Sequence, residues 1–126
     1  MRGVPWDIMT DKVIGLAIDV HRELGPGLLE SAYEECLAYE LSGHGIGFIR
    51  QAPISLSYKS TWLECGFRAD FIIEDELILE LKAVEKMLPI HSAQVITYLR
   101  LTGIRTGLLV NFNTRVLKDG IRRMVV

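Results

Sequence analysis

The feature that most constrains this chain is the alternation that runs from Phe67 to Lys82. Phe67-Arg68-Ala69-Asp70-Phe71-Ile72-Ile73 and Leu77-Ile78-Leu79-Glu80-Leu81-Lys82 are rich in β-branched and aromatic residues, and the acidic Glu74-Asp75-Glu76 between them reads as a turn. Side chains alternate faces along a strand. Ala69, Phe71 and Ile73 are therefore expected on one face with Leu77, Leu79 and Leu81. Arg68, Asp70 and Ile72 are expected on the other with Ile78, Glu80 and Lys82. The apolar sets match if Ile73 pairs with Leu77, and that register sets Asp70 opposite Glu80. A slip of one residue would send one arm's charges into the core. The turn has neither Gly nor Asn, so the register rests on the apolar pattern.

Two carboxylates that face each other across a strand pair lie about 5 Å apart at Cβ and repel. Kept beside a lysine and among apolar residues, such a pair invites a cation. Hard oxygen donors at that spacing suit magnesium or manganese. Lys82, on the same face, would then orient or polarise a metal-activated water. The competing reading is a solvated outer face on which Asp70, Glu80 and Lys82 pair weakly.

Around the hairpin, the chain reads as helix, helix, strands, hairpin, helix, strand, strand. Ile8, Val13, Ile14, Ala17, Ile18 and Val20 form the stripe of a helix over 8–23, capped by Asp7 or Thr10. His21 near its end fits a ligand, a cap on carbonyls or a packed ring. Gly25-Pro26-Gly27 predicts a sharp turn. A second helix is expected over about 29–43, with Glu30, Tyr33, Glu34 and Leu37 on one face. Glu30 in its first turn suits the helix dipole. Gly43 to Gly47, with His44 expected at the surface, ends that helix. Residues 48–58 form a strand that Pro53 limits to an edge or a bulge. Lys59-Ser60 turns the chain into a long strand over 61–73, in which Gly66 marks a bulge or a close backbone approach. Pro89 suits the first turn of a helix over about 90–102, and Gln94 and Tyr98, four apart, stack on its face. Residues 104–112 read as a buried strand, 113–120 as a loop and 121–126 as an edge strand. Arg115, Lys118, Arg122 and Arg123 fit either phosphate contacts or an edge guarded by charge. A helix crossover after antiparallel strands predicts a mixed sheet.

With 126 residues and 49% hydrophobic content, one domain with one core is expected. There is no apolar run long enough to span a bilayer, and Met1 to Asp7 lacks the apolar core of a signal peptide, so a soluble, cytoplasmic protein is expected. Cys36 and Cys65 are too few for a zinc site or a disulfide framework. The net charge of −2 and pI near 5.9 are not the footprint of a non-specific nucleic-acid binder and argue against tight metal-free binding to long DNA. They leave a nuclease open, because a carboxylate cluster lowers net charge and metal ions offset it locally.

The residues also carry a resemblance. Asp70, nine intervening residues and Glu80-x-Lys82 resemble the signature of the PD-(D/E)XK nucleases. Gly27-Leu28-Leu29-Glu30-Ser31-Ala32-Tyr33 resembles the Gly-x-x-Glu-x-x-Tyr motif of the GxxExxY family, a small bacterial and archaeal branch of that superfamily. The similarity runs from Val20 through Gly27 to Asn111-Phe112-Asn113, and Gln94 with Tyr98 resembles a Gln-x-x-x-Tyr motif of some members. The resemblance implies an α/β, restriction-endonuclease-like αβββαβ core with a mixed central sheet flanked by helices. It implies a nuclease dependent on Mg2+ or Mn2+ that hydrolyses phosphodiester bonds, with DNA favoured over RNA. Asp70, Glu80 and the carbonyl of Leu81 would hold the metal, Glu30 would be a third carboxylate, and Lys82 would be catalytic. Gln94 and Tyr98 would position substrate or the lysine, and Tyr33 would support the site by packing or a hydrogen bond. One site per chain means that cutting both strands of a duplex would require a homodimer or two encounters, and targeting would come from a partner. The alternative is a catalytically silent module on the same fold that binds nucleic acid or protein.

Overall fold

The structure, a computed structural model, describes residues 7–126. Met1 to Trp6, which carried most of the expectation about the N-terminus, lie outside the described residues. The elements are α1 (Ile8–Leu24), α2 (Glu30–Gly43), β1 (Phe48–Tyr58), β2 (Thr61–Ile73), β3 (Leu77–Lys82), α3 (Pro89–Thr102), β4 (Thr106–Asn111) and β5 (Ile121–Val125), with a 3-10 turn over Leu117–Gly120.

Local chemistry sets the ends. Asp7 caps α1 by accepting the Thr10 N–H at 2.6 Å. Pro89 opens α3, and Gly103, at φ 78°, closes it in the left-handed conformation. Lys59 and Ser60, at φ 46° and 67°, form the two-residue turn whose twist suits a hairpin. Glu74 and Asp75 adopt φ 52° and 54° without being glycine. Their turn is closed by the Glu76 N–H on the Ile73 carbonyl and tied to Gly47 by the Glu74 N–H and carboxylate.

The five strands lie in the order β1-β2-β3-β4-β5. The first three pair antiparallel, β3 and β4 pair parallel across the α3 crossover, and β5 returns antiparallel. The mixed sheet expected from the element order is therefore present. α1 and α2 bury Val13, Leu16, Tyr33 and Leu37 against Phe71, Ile73, Leu79, Leu81 and Val110 on one face. α3 buries Val95, Tyr98 and Leu99 against Ile54, Ile78 and Leu109 on the other. Each fully buried leucine contributes about 1.5–3 kcal/mol, so covering both faces accounts for the unbroken burial of β4.

The hairpin register is the expected one: Ile73 pairs with Leu77, Ile72 with Ile78 and Phe71 with Leu79. Gly66 lies in the gap between the Ile54–Phe67 and Ser55–Glu64 pairs, which is the expected bulge. β1 is an edge strand, as Pro53 requires. One expectation needs correction. Ala69 does not share a core with Phe71 and Ile73; it packs with Ile54 and Ile78 on the α3 side. The cause lies at the next position. Gln51 and Asp70 fall between the Arg50–Phe71 and Ala52–Ala69 pairs but do not pair, and Gln51 takes φ 49°. That local turn breaks the alternation at Asp70.

Candidate active site

Beyond Phe71 and Leu79 the β2–β3 ladder ends, and side chains take over the backbone groups. The Asp70 N–H donates to Glu80 Oε1 at 3.1 Å, and the Leu81 N–H donates to Asp70 Oδ2 at 2.8 Å. Each carboxylate thus satisfies an amide of the opposite strand. Both are held where the β2–β3 pairing ends.

The electrostatics follow from the burial. Glu80 is 4% exposed. Burial pushes its carboxyl up to about 8, and the charge of Asp70 and a carboxyl-to-carboxyl hydrogen bond with it push the same way. The Asp70 amide and the Lys82 charge pull in the other direction without offsetting this. At neutral pH and without a cation, Glu80 is mostly protonated. Tyr98 lies within this field: burial first, then the Glu80 charge, raises its hydroxyl above the ordinary tyrosine value. Gln94 Nε2 donates to that hydroxyl at 3.0 Å. The two residues also line an open groove of about 380 Å³ with Phe67 and Ile90.

Lys82 is half-buried at the end of β3, and its strand position is held from behind. The Phe112 N–H donates to the Lys82 carbonyl at 2.8 Å. Asn111, 3% exposed, accepts the Val84 N–H at 3.1 Å and donates to the Val84 carbonyl at 2.9 Å. This clamp was not read from the sequence, where Asn111 looked like the end of an apolar strand. An asparagine closing a buried strand was the available signal.

The structure thus brings Asp70, Glu80, Leu81, Lys82, Gln94 and Tyr98 into one corner. It places the other two candidates differently. Tyr33 is fully buried and stacks on Phe112 with ring centroids 4.4 Å apart. Its hydroxyl donates to the Gly25 carbonyl at 2.6 Å and accepts the Leu28 N–H at 3.1 Å, so it pins the Gly25-Pro26-Gly27 turn. Glu30 is exposed at the start of α2, and its carboxylate enters none of the hydrogen bonds around Asp70. The glutamate linked to Asp70 is Glu34, one turn further on. Gln51 Nε2 donates to Glu34 Oε1 at 2.8 Å and to Asp70 Oδ1 at 3.2 Å. Reading the sequence placed Glu34 on the face of Glu30 and Tyr33 but gave it no role, and passed over Gln51. His21 turns out to be a packed cap: its Nε2 donates to the Thr114 carbonyl at 2.7 Å beside Phe112.

A family model of the PD-(D/E)XK nuclease superfamily matches residues 7–124. The chain belongs to that superfamily. No curated protein matches it. Among solved structures, it is similar to an alkaline exonuclease from Laribacter hongkongensis, with a TM-score of 0.51 and 13% identity over 97% of this chain and 72% of that one. At that identity the likeness shows the fold alone. Asp70, Glu80 and Lys82 are the residues that fit the PD-(D/E)XK signature.

PD-(D/E)XK nucleases generally use divalent metal ions. The donor set here suits one. It offers two close carboxyl groups, both hard oxygen donors, and magnesium is often held by one or two carboxylates with water completing its shell. A carboxyl held neutral first by burial and then by its charged neighbour is a position that a cation would relieve. Among the described residues, no three His, Cys, Asp or Glu side chains form a ready-made metal cage. No helix among them is long and apolar enough to cross a membrane.

Proposed function

We propose that this protein is a metal-dependent nuclease that hydrolyses phosphodiester bonds, with DNA favoured as substrate. The supporting observation is the Asp70–Glu80 pair, cross-bonded to the opposite strand and followed at once by Lys82, in a chain of this superfamily. Asp70, Glu80 and the Leu81 carbonyl are the ligands of Mg2+ or Mn2+. The ion, when bound, supplies Lewis-acid polarisation and lowers the pKa of a water. Lys82 orients the attacking water and stabilises charge on the phosphoryl oxygens. Gln94 and Tyr98 hold substrate beside the carboxylates, and the groove they line with Phe67 and Ile90 leaves room for it. Tyr33 supports the site at a distance by fixing the turn before α2. Glu30 stands as the third carboxylate that the GxxExxY resemblance implies. Its side chain stands exposed at the start of α2.

The protein acts as one domain with one site, so cleavage of both strands of a duplex requires a second copy or a second encounter. Two free cysteines, one of them exposed, fit a reducing, cytoplasmic setting. The net charge of −2 favours a second reading, a silent binding module on the same fold.

The test is a cleavage panel of single-stranded, duplex and branched DNA and of RNA, run with magnesium, manganese or chelator. Asp70→Ala and Lys82→Ala are run beside the wild type. Metal-dependent cleavage lost in both variants supports the nuclease and names its substrate. No cleavage of any substrate, with manganese still bound, favours the module.

A further inference from the structure

Gln51 is an outlier in a regular strand. It is a non-glycine residue at φ 49° inside β1, a conformation that side chains with a Cβ adopt uncommonly. The same kink removes Gln51 and Asp70 from the β1–β2 ladder. Such outliers persist where the surroundings demand them, and they cluster at functional sites.

What the kink achieves is visible in the hydrogen bonds. The Gln51 amide nitrogen reaches Glu34 Oε1 at 2.8 Å and Asp70 Oδ1 at 3.2 Å. Since the Leu81 N–H holds Asp70 Oδ2, both oxygens of Asp70 are fixed and its carboxylate cannot rotate freely. Anchoring α2 to the sheet does not need this contact. Arg50, the preceding residue, already binds Glu34 Oε2 through Nε at 3.2 Å and Nη2 at 2.7 Å, and reaches Glu35 at 2.8 Å. That ion pair sets the Glu34 carboxylate and leaves Oε1 turned to Gln51. The chain Arg50–Glu34–Gln51–Asp70 is therefore a support running from the ion pair to Asp70.

We infer that Gln51 is a positioning residue for Asp70, with Glu34 as its anchor, and that it tunes the site's affinity for a divalent cation. The inference rests on the metal reading above. Partners that hydrogen-bond a ligating carboxylate typically alter metal affinity or activity 10- to 100-fold. The backbone conformation supplies the means to separate this role from a structural one. Glycine suits φ 49° without a Cβ penalty and asparagine tolerates it, yet neither carries an amide that spans both carboxylates.

The experiment is manganese titration by calorimetry, with melting temperature measured alongside, on the wild type, Gln51→Gly, Gln51→Asn, Glu34→Gln and Asp70→Ala. The expected result is a manganese Kd raised at least tenfold in Gln51→Gly and Gln51→Asn. Their melting temperatures stay within about 2 °C of the wild type or above it, since a 1 kcal/mol change moves a domain of this size by about 4 °C. Combining Gln51→Gly with Glu34→Gln adds no further loss, as for two members of one chain of contacts. Wild-type affinity in Gln51→Gly, with binding lost in Asp70→Ala, overturns the positioning role and leaves the metal reading intact. No manganese binding by the wild type overturns the metal reading and this role with it.

Discussion

Asp70 and Glu80 face each other across the end of the β2–β3 ladder, and the Asp70 amide donates to Glu80 Oε1 at 3.1 Å. The two acids are therefore part of the sheet's own hydrogen bonding as well as its chemistry. Removing either side chain leaves a part-buried amide without its acceptor.

The raised Glu80 carboxyl predicts an unusual pH dependence. Its folded value is about 8, against an ordinary 4.5. Between those values the folded state holds a proton that the unfolded chain has released. Stability from this group is complete below about pH 4.5 and is lost as pH rises to about 8, at up to about 1.4 kcal/mol per pH unit. In chelator, the wild type should melt at falling temperature over that window, and Glu80→Gln should not. Magnesium or manganese should restore the loss most at the alkaline end, because the ion binds the ionised pair. Parallel melting curves for wild type and Glu80→Gln across pH 5–8 would remove the basis for a neutral Glu80.

Lys82→Ala should lower the cleavage rate by about 10²–10⁴-fold, the range typical of a lost group that handles the reacting water. Manganese affinity should change little, because the ammonium is not a ligand. Single-turnover rates at saturating metal, compared with calorimetry, separate the two effects. A variant that cleaves normally would return Lys82 to a purely electrostatic part.

Gly107 is where α3 meets β4. A Cβ there would come within 2.7 Å of Val95 Cγ1 and 3.3 Å of Leu99 Cδ1. Gly107→Ala should cost about 1–3 kcal/mol by overpacking, seen as a lower denaturation midpoint. Because the displaced helix carries Gln94 and Tyr98, activity should fall along with stability. A midpoint equal to the wild type's would mean that α3 can shift at no cost.

Tyr33→Phe keeps the stack on Phe112 and deletes both hydrogen bonds to the turn. The expected loss is about 1–2 kcal/mol, while Tyr33→Ala, which also empties a fully buried site, should lose about 3–5 kcal/mol. Chemical denaturation of the pair measures the difference. Equal losses would show that the hydroxyl, and with it the turn, contributes most of the effect.

Much of the architecture is legible in the amino-acid sequence. The β2–β3 register followed from apolar residues at a spacing of two, because only one alignment keeps Asp70, Glu80 and Lys82 off the apolar face that α1 and α2 cover. Pro89, Gly103 and the Gly25-Pro26-Gly27 turn marked their boundaries through restrictions on φ that act within a residue or two. The Gln94–Tyr98 pair was visible for the same reason, since helical spacing places residues four apart side by side.

What the sequence determined by itself is the periodic and the local: strand faces, helix ends, and the order Asp70, Glu80, Lys82 along two arms. Only the tertiary structure decided that Ala69 turns to the α3 side, that Glu34 rather than Glu30 is linked to Asp70, and that Asn111 clamps the residues after Lys82. Each of these depends on segments far apart in the chain meeting at a kink or a strand end, where alternation fails. The protonation of Glu80 belongs with them, because it arises from water excluded by α3 and the neighbouring strands, and exclusion of water is a property of the packed whole.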